Sequence, residues 1–234
     1  MIIYTNGCSH TAGGCFKTLF TWPHLIMKSI LNFDSYITNP YLTNFDKNSR
    51  VLYNHAIHGA GNDYIFHKSL ETISSLVQKG NKPDYVIIQW SGTNRRLHFF
   101  PDGYVFVNPS DYTELGVKFE PYGSEHTIHY MFSLQEYLKK NNINYLFFNY
   151  MALDKSIKDI SVYNEIDLNN FLDFGMGESI IYNGLIDFFK SKDMCCDDAG
   201  HPNHQGNYLI AEEIGNRLGI DIIDLKDFHN SIVI

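Results

Sequence analysis

The sequence lacks a long hydrophobic run, an excess of basic residues and a cysteine-rich framework. None of its apolar stretches reaches the about 20 residues that a membrane-spanning helix needs. Its 234 residues include 18 Lys and Arg against 26 Asp and Glu, which gives a net charge of −8. Negative charge of this size argues against a nucleic acid or an anionic membrane surface as the main partner. We therefore expect a protein with no membrane span and no nucleic-acid partner.

Cysteine is scarce, and this bears on the compartment. The chain has four cysteines, at positions 8, 15, 195 and 196. This pattern does not suggest a disulfide framework, so we expect four free thiols in a reducing compartment. The N-terminal apolar run of residues 1–4 is too short for a signal peptide. We therefore expect a cytoplasmic protein.

The composition that remains is typical of one globular domain. Hydrophobic residues make up 44% of the chain and charged residues 19%, which favours a folded chain with a substantial core. We predict a single domain over residues 1–234, with no repeat and no linker. A stretch rich in Pro, Gly, Tyr and Asp, at about 97–123, is expected to form a loop excursion.

Predicted strands and helices alternate along the chain. Apolar runs predict strands at 2–4, 51–57, 85–90 and 143–150. Helical spacing of apolar residues predicts helices at 20–31, 62–79, 125–140, 179–190 and 208–218. This alternation favours an α/β fold with a central parallel sheet covered by helices on both faces.

Polar segments follow three of the predicted strands, at residues 7–11, 59–62 and 91–95. The carboxyl ends of parallel strands lie at one edge of a sheet, where the loops form the binding site. We therefore expect these three segments to meet.

Two of the chain's polar segments together carry a nucleophile and a base. Ser9 lies on a predicted turn between a strand and a helix, and a serine hydroxyl needs a base to become nucleophilic. His201 can act as that base, and Asp198 three residues earlier can hold the imidazole in the accepting tautomer. Taken singly, each residue has an ordinary alternative role, as a helix N-cap or a polar loop residue.

Two further residues can supply hydrogen-bond donors to a developing negative charge. Gly59 follows the second strand and offers its backbone N–H, while Asn94 follows the third and offers its side-chain amide. Together with the N–H of Ser9 they would form an oxyanion hole. Turn geometry for the glycine and loop capping for the asparagine are the structural alternatives.

Taken in order, four blocks of the sequence resemble the SGNH/GDSL hydrolase family of esterases and lipases. They are Gly-Cys-Ser-His-Thr at 7–11, Asn-His-Ala-Ile-His-Gly at 54–59, Gly-Thr-Asn at 92–94, and Asp-Ala-Gly-His-Pro-Asn at 198–203. The resemblance spans nearly the whole chain. It implies a three-layer α/β/α fold with a flavodoxin-like parallel sheet.

The same resemblance implies roles for individual residues. Ser9 would be the nucleophile, His201 the base and Asp198 its partner. The N–H groups of Ser9 and Gly59 and the side chain of Asn94 would form the oxyanion hole.

Two positions depart from the family pattern. Cys8 stands where the family usually has Asp before the serine, and Arg95 replaces the acid that usually follows the asparagine of the third block. Neither change removes a group that performs the chemistry, but both alter the charge beside it. Arg95, with His10 and His58, is expected to contact substrate.

A metal site is the alternative use of the histidines. His-x-x-His spacing occurs at 55/58, 126/129 and 201/204, and zinc accepts such ligands. However, no Cys-x-x-Cys pair accompanies them, and 11 histidines will give some spaced pairs by chance. We therefore expect no metal and no cofactor.

These observations favour a serine esterase that acts on a small-molecule or glycan ester. Removal of a small acyl group such as acetyl from a carbohydrate is the first choice. A lipase or thioesterase for longer acyl chains is the alternative, and so is a non-catalytic binding protein that keeps the fold. The first block is also similar in style to hydrolase-like proteins encoded by bacteriophages and bacteria, which suggests a particle-associated protein.

Overall fold

A parallel sheet of four strands forms the centre of the protein in this computed structural model. The structure describes residues 1–13, 21–31, 50–100, 103–107, 123–174 and 184–224. The sheet strands are β1 (Ile2–Asn6), β2 (Val51–Asn54), β3 (Tyr85–Trp90) and β6 (Asn144–Asn149). Their order is β2-β1-β3-β6, and every pair is parallel. The predicted parallel sheet is confirmed.

Alternate residues of these strands enter two separate hydrophobic cores. On β3, Val86 and Ile88 belong to one core, while Ile87 between them belongs to the other. On β6, Phe147 belongs to the first core and Leu146 to the second. Successive side chains of a strand point to opposite faces of the sheet, so both faces are covered. A continuous apolar run is typical of such strands.

Helices cover the two faces. The helices of the described residues are α1 (Ser9–Ala12), α2 (Trp22–Leu31), α3 (Asn62–Gln78), α4 (Gly123–Lys140), α5 (Leu185–Ser191) and α6 (His204–Leu218). Helices α3 and α4 pack on one face, and α2, α5 and α6 on the other. This arrangement is the expected three-layer α/β/α fold. Within the described ranges, no helix combines the length and the apolarity needed to cross a membrane.

The structure differs from the sequence-based prediction mainly in the connecting segments. Part of the expected loop excursion is a two-stranded antiparallel hairpin, β4 (Arg96–Phe100) and β5 (Gly103–Val107). Three short 3-10 helices, at 155–159, 161–165 and 168–170, follow β6 in a part of the chain where neither a strand nor a helix was predicted. The early part of the helix predicted at 179–190 lies outside the described residues, which resume at 184.

Local hydrogen bonds explain two shifted boundaries. Strand β2 ends at Asn54 because its side chain accepts the N–H of Ala56 at 3.1 Å and turns the chain. Helix α6 begins at His204 rather than at residue 208 because the side chain of Asn203 accepts the N–H of Gly206 at 3.1 Å and caps the helix.

A buried histidine beside β2 makes stability depend on pH. Burial lowers the pKa of His55 to about 4, assisted by the positive charge of Lys68. In the unfolded chain a histidine has a pKa of about 6.5. Between these two values the unfolded chain binds a proton that the folded protein does not bind. The contribution of neutral His55 to the free energy of unfolding is therefore fully present above about pH 6.5. It is lost progressively as the pH falls toward 4.

We expect His55→Gln to weaken this pH dependence. Between pH 7.5 and pH 5 the wild type should lose about 1 to 2 kcal/mol more unfolding free energy than the variant. Urea denaturation of both proteins at the two pH values measures the difference. Equal losses in the two proteins would show that His55 is not buried in its neutral form.

Candidate functional site

Ser9 is the first residue of α1 and follows a tight turn at the end of β1. The carbonyl of Cys8 accepts the N–H of Thr11 at 3.0 Å and that of Ala12, which closes the helical turn. A Cβ atom on Gly7 would lie 2.9 Å from Thr11 Cβ, a separation that real Cβ atoms do not tolerate. Glycine is therefore required here, and the turn holds Ser9 at the sheet edge.

His201 lies in the loop between α5 and α6, and this loop is tied to the sheet. Cys195 and Pro202 form an antiparallel β-bridge that closes the loop. The hydroxyl of Tyr150, directly after β6, donates to the carbonyl of Gly200 at 2.5 Å. The histidine is thereby fixed beside the carboxyl end of β6.

A continuous hydrogen-bond chain joins Ser9, His201 and a carboxylate. Ser9 Oγ lies 2.9 Å from His201 Nε2, and His201 Nδ1 lies 2.6 Å from Asp197 Oδ2. The other oxygen of Asp197 accepts the backbone N–H of His201 at 3.0 Å. Burial alone would raise the pKa of Asp197, but the hydrogen bonds from His201 lower it below its ordinary value. The carboxylate therefore stays ionised beside the imidazole.

The carboxylate partner is Asp197, so the sequence-based choice of Asp198 is corrected. The reason is the turn between Asp197 and His201. The N–H of Gly200 donates to the carbonyl of Asp197 at 3.1 Å, and Gly200 has a positive φ of 82°. This turn folds Asp197 back against the ring and backbone of His201, so that both of its oxygens accept from His201.

The expected oxyanion-hole residues follow the predicted strands. Gly59 has a φ of 78°, a conformation that favours glycine, and its segment is tied to the first block because Ile57 N–H donates to the Gly7 carbonyl at 3.3 Å. Asn94 is exposed after β3, and its Oδ1 accepts the hydroxyl of Thr93 at 3.2 Å. This hydrogen bond orients the amide, with Nδ2 as its donor atom.

The residues expected to contact substrate have different surroundings. His10 is only 3% exposed, so it lies behind the site rather than on its surface. His58 is exposed. Arg95 is half-buried, and its Nη1 donates to Ser91 Oγ at 3.3 Å. Of the three, His58 is the most accessible to a bound molecule.

Two cysteines of the site have contrasting states. Cys8 is free and buried, and burial alone would raise the pKa of its thiol. The charge and hydrogen bond of His10, with contributions from Ser91 and Arg95, nevertheless lower that pKa well below its ordinary value. Cys196, in contrast, is disulfide-bonded. The expectation of four free thiols is therefore wrong, and the cysteines no longer support a reducing compartment.

The spaced histidines form no recognisable metal centre in the part of the chain that the structure describes. There, no three His, Cys, Asp or Glu side chains come together as a ligand set. His55 is packed against Tyr4 and Tyr53, and His201 contacts Ser9 and Asp197.

A cavity of about 430 Å³ lies beside the loop that carries His201. Its lining has more negative than positive side chains and consists of Lys190, Asp193, Cys195, Cys196, Asp197 and Asp198. The field of such a lining favours neutral or positively charged molecules over anions.

Several solved structures share this fold at low sequence identity. A protein assigned to the lipolytic G-D-S-L family, from Desulfitobacterium hafniense DCB-2, is 14% identical, with a TM-score of 0.51 over 92% of this chain and 98% of that one. TesA is 11% identical, with a TM-score of 0.53 over 93% and 98%. The acetyl xylan esterase AlAXEase is 13% identical, with a TM-score of 0.50 over 93% and 100%.

These similarities show the fold. It is the three-layer SGNH/GDSL hydrolase fold that the four sequence blocks implied, and the proteins that share it include lipolytic proteins and esterases. Neither a family model nor a curated protein sequence matches the chain. The resemblance therefore rests on short motifs and on the fold.

The two adjacent aspartates form a matched pair of variants. We expect Asp197→Asn to slow the labelling of Ser9 by a fluorophosphonate probe by roughly two to four orders of magnitude, because the amide no longer holds the accepting tautomer of His201. Asp198→Asn should label within about twofold of the wild type, since Asp198 makes no hydrogen bond to the ring. Labelling rates from intact-protein mass spectrometry make the comparison. Equal rates for the two variants would contradict the assignment of Asp197.

Proposed function

We propose that this protein is a serine ester hydrolase that acts through an acyl-enzyme intermediate. The observation that supports this most strongly is the unbroken hydrogen-bond chain from Ser9 Oγ through His201 to Asp197. These three groups come from opposite ends of the chain, 192 residues apart between serine and histidine. A chance contact between two polar loops would not produce both hydrogen bonds in the order that nucleophilic catalysis needs.

The geometry suggests the following sequence of steps. Ser9 Oγ attacks the ester carbonyl carbon while His201 Nε2 takes the hydroxyl proton, and Asp197 stabilises the imidazolium that forms. The carbonyl oxygen becomes an oxyanion, which the N–H groups of Ser9 and Gly59 and the amide of Asn94 would stabilise. His201 then gives its proton to the leaving alcohol. Water hydrolyses the acyl-enzyme by the same proton transfers in reverse.

The proposed substrate is a neutral ester with a small acyl group, such as an O-acetyl group on a carbohydrate. The cavity beside Asp197 has a mainly negative lining, and a leaving group that lies against it would be neutral rather than part of a thioester of a polyanionic carrier. One structural neighbour is an acetyl xylan esterase. A lipase or thioesterase acting on longer acyl chains is the second candidate, since another neighbour with this fold is assigned to a lipolytic family.

We expect the wild type to hydrolyse p-nitrophenyl acetate and Ser9→Ala to lose at least about 1,000-fold of that activity. Ser74→Ala is the matched control, because the Ser74 hydroxyl donates to the carbonyl of Glu71 in an exposed hydrogen bond within helix α3. Turnover by the wild type and by the control is measured spectrophotometrically. Equal rates for the wild type and Ser9→Ala would contradict the assignment of Ser9 as the nucleophile. No turnover together with no labelling of Ser9 would favour a binding protein that keeps the fold.

The choice of acyl group is tested separately. The rate should fall as the acyl chain is lengthened from acetyl to octanoyl in a p-nitrophenyl series, and acetylated xylan or another acetylated glycan should release acetate. A rate that instead rises with chain length would replace the carbohydrate esterase with the lipase or thioesterase alternative.

The oxyanion role of Asn94 predicts a large kinetic effect. We expect Asn94→Ala to lower kcat by about 100- to 1,000-fold, because one donor to the oxyanion is removed. Thr93→Val is the control, since it removes the hydroxyl that orients the amide but keeps the amide itself, and it should lose much less. Steady-state kinetics on p-nitrophenyl acetate compare the two. If Asn94→Ala keeps wild-type kcat, another group stabilises the oxyanion.

A further inference from the structure

Four buried polar side chains form a continuous chain behind Ser9. They belong to Thr11, Gln89, Cys8 and His10, none of them more than 3% exposed. The hydroxyl of Thr11 donates to Gln89 Oε1. Gln89 Nε2 lies 3.3 Å from Cys8 Sγ, which in turn lies 2.9 Å from His10 Nδ1. The chain therefore runs from β3 to the residue that follows Ser9.

The direction of these hydrogen bonds makes the sulfur an acceptor. Because Gln89 Oε1 accepts from Thr11, the amide nitrogen of Gln89 faces Cys8 and donates to the sulfur. The low pKa of the Cys8 thiol, which persists despite burial, has His10 as its main cause. Cys8 Sγ and His10 Nδ1 lie within hydrogen-bond distance, and the bond between them holds the ring whichever of the two atoms carries the proton. This contact tethers the His10 ring.

The tethered ring lies between two aromatic faces. His10 stacks on Tyr150 with ring centroids 3.7 Å apart and planes at 25°. Its other neighbour is His201, with centroids 4.6 Å apart and planes at 28°. His10 Nε2 has no hydrogen-bond partner among the described residues, so the ring is held by its stacking and by the contact at Nδ1.

Stacking supplies a constraint that the hydrogen bonds of His201 do not supply. Those bonds act at Nε2 and Nδ1, close to a single line through the ring. Two in-plane contacts of this kind leave the imidazole able to tilt about that line. A parallel ring against its face resists the tilt, because tilting loses the stacking contact and meets His10 sterically.

We propose that His10 is a positioning residue for His201, held by Cys8 and Tyr150 so that its ring fixes the plane of the catalytic imidazole. This inference depends on the proposed function for its kinetic consequence, but its structural consequence can be measured without turnover. Gly7-Cys8-Ser9-His10-Thr11 then acts as one unit, in which the residues on either side of the serine support the base that activates it.

His55 provides the matched control within the same chain. It is also a buried histidine with aromatic neighbours, Tyr4 and Tyr53, and its Nε2 likewise lacks a partner among the described residues. Its hydrogen bonds and ring contacts among the described residues are with Thr5, Thr72, Tyr4 and Tyr53 rather than with the residues around Ser9. Removing its ring should therefore lower stability without changing the plane of His201.

The kinetic test compares His10→Ala, His10→Phe and His55→Ala on p-nitrophenyl acetate. We expect His10→Ala to lower kcat about 10- to 100-fold with KM within about twofold, because the base is misplaced while substrate binding persists. His10→Phe keeps a stacking ring and should recover most of kcat, and His55→Ala should keep it. Thermal unfolding of each variant separates lost positioning from lost folding. If His10→Phe is as impaired as His10→Ala at equal stability, stacking is not the cause and the proposal fails.

The structural test compares the orientation of the His201 ring in crystal structures of the wild type, His10→Phe and His10→Ala. We expect the same ring plane in the wild type and in His10→Phe, and a ring that is tilted or disordered about the line through its two nitrogens in His10→Ala. An ordered His201 ring with an unchanged plane in His10→Ala would overturn the proposal. This measurement does not require esterase activity, so the positioning role is tested separately from the proposed function.

Discussion

Parallel pairing of β1 with β2 on one side and β3 on the other is the constraint on which the site depends. The register places Thr5 beside Asn54 and Asn6 beside Ile88, so these strands end at the same edge. The hydrogen bond from Ile57 to the Gly7 carbonyl extends this pairing into the loops. Residues far apart in sequence therefore come to one edge without any direct attraction between their side chains.

His201 is held in place by a second set of contacts, because its loop is not part of the sheet. Tyr150 joins the two sets: its hydroxyl holds the loop at Gly200, and its ring stacks on His10 behind the serine. Burial raises the pKa of Tyr150 far above its ordinary value, so the phenol keeps its proton and remains a donor. One side chain at the end of β6 thus couples the first block of the sequence to the last.

The sequence predicted the sheet well because apolar runs report burial on both faces. Tyr85–Trp90 has the predicted bounds, and the order of strands and helices supports the common edge. Features that depend on the geometry of a single turn could not be predicted from the sequence. Two adjacent aspartates precede His201, and the positive φ of Gly200 decides that Asp197 rather than Asp198 reaches the ring. The disulfide at Cys196 likewise depends on which segments meet in space.

The exposure of Asp197 explains why the buried contacts of His10 matter for the orientation of His201. The Asp197 side chain is 37% exposed, and water competes for a carboxylate at such a position and screens its charge. A hydrogen bond in those surroundings orients an imidazole less firmly than one inside the protein. The contacts of His10 with Cys8 and Tyr150 are buried and free of that competition. The stacking contact of His10 with His201 therefore constrains the plane of the imidazole from the buried side of the site.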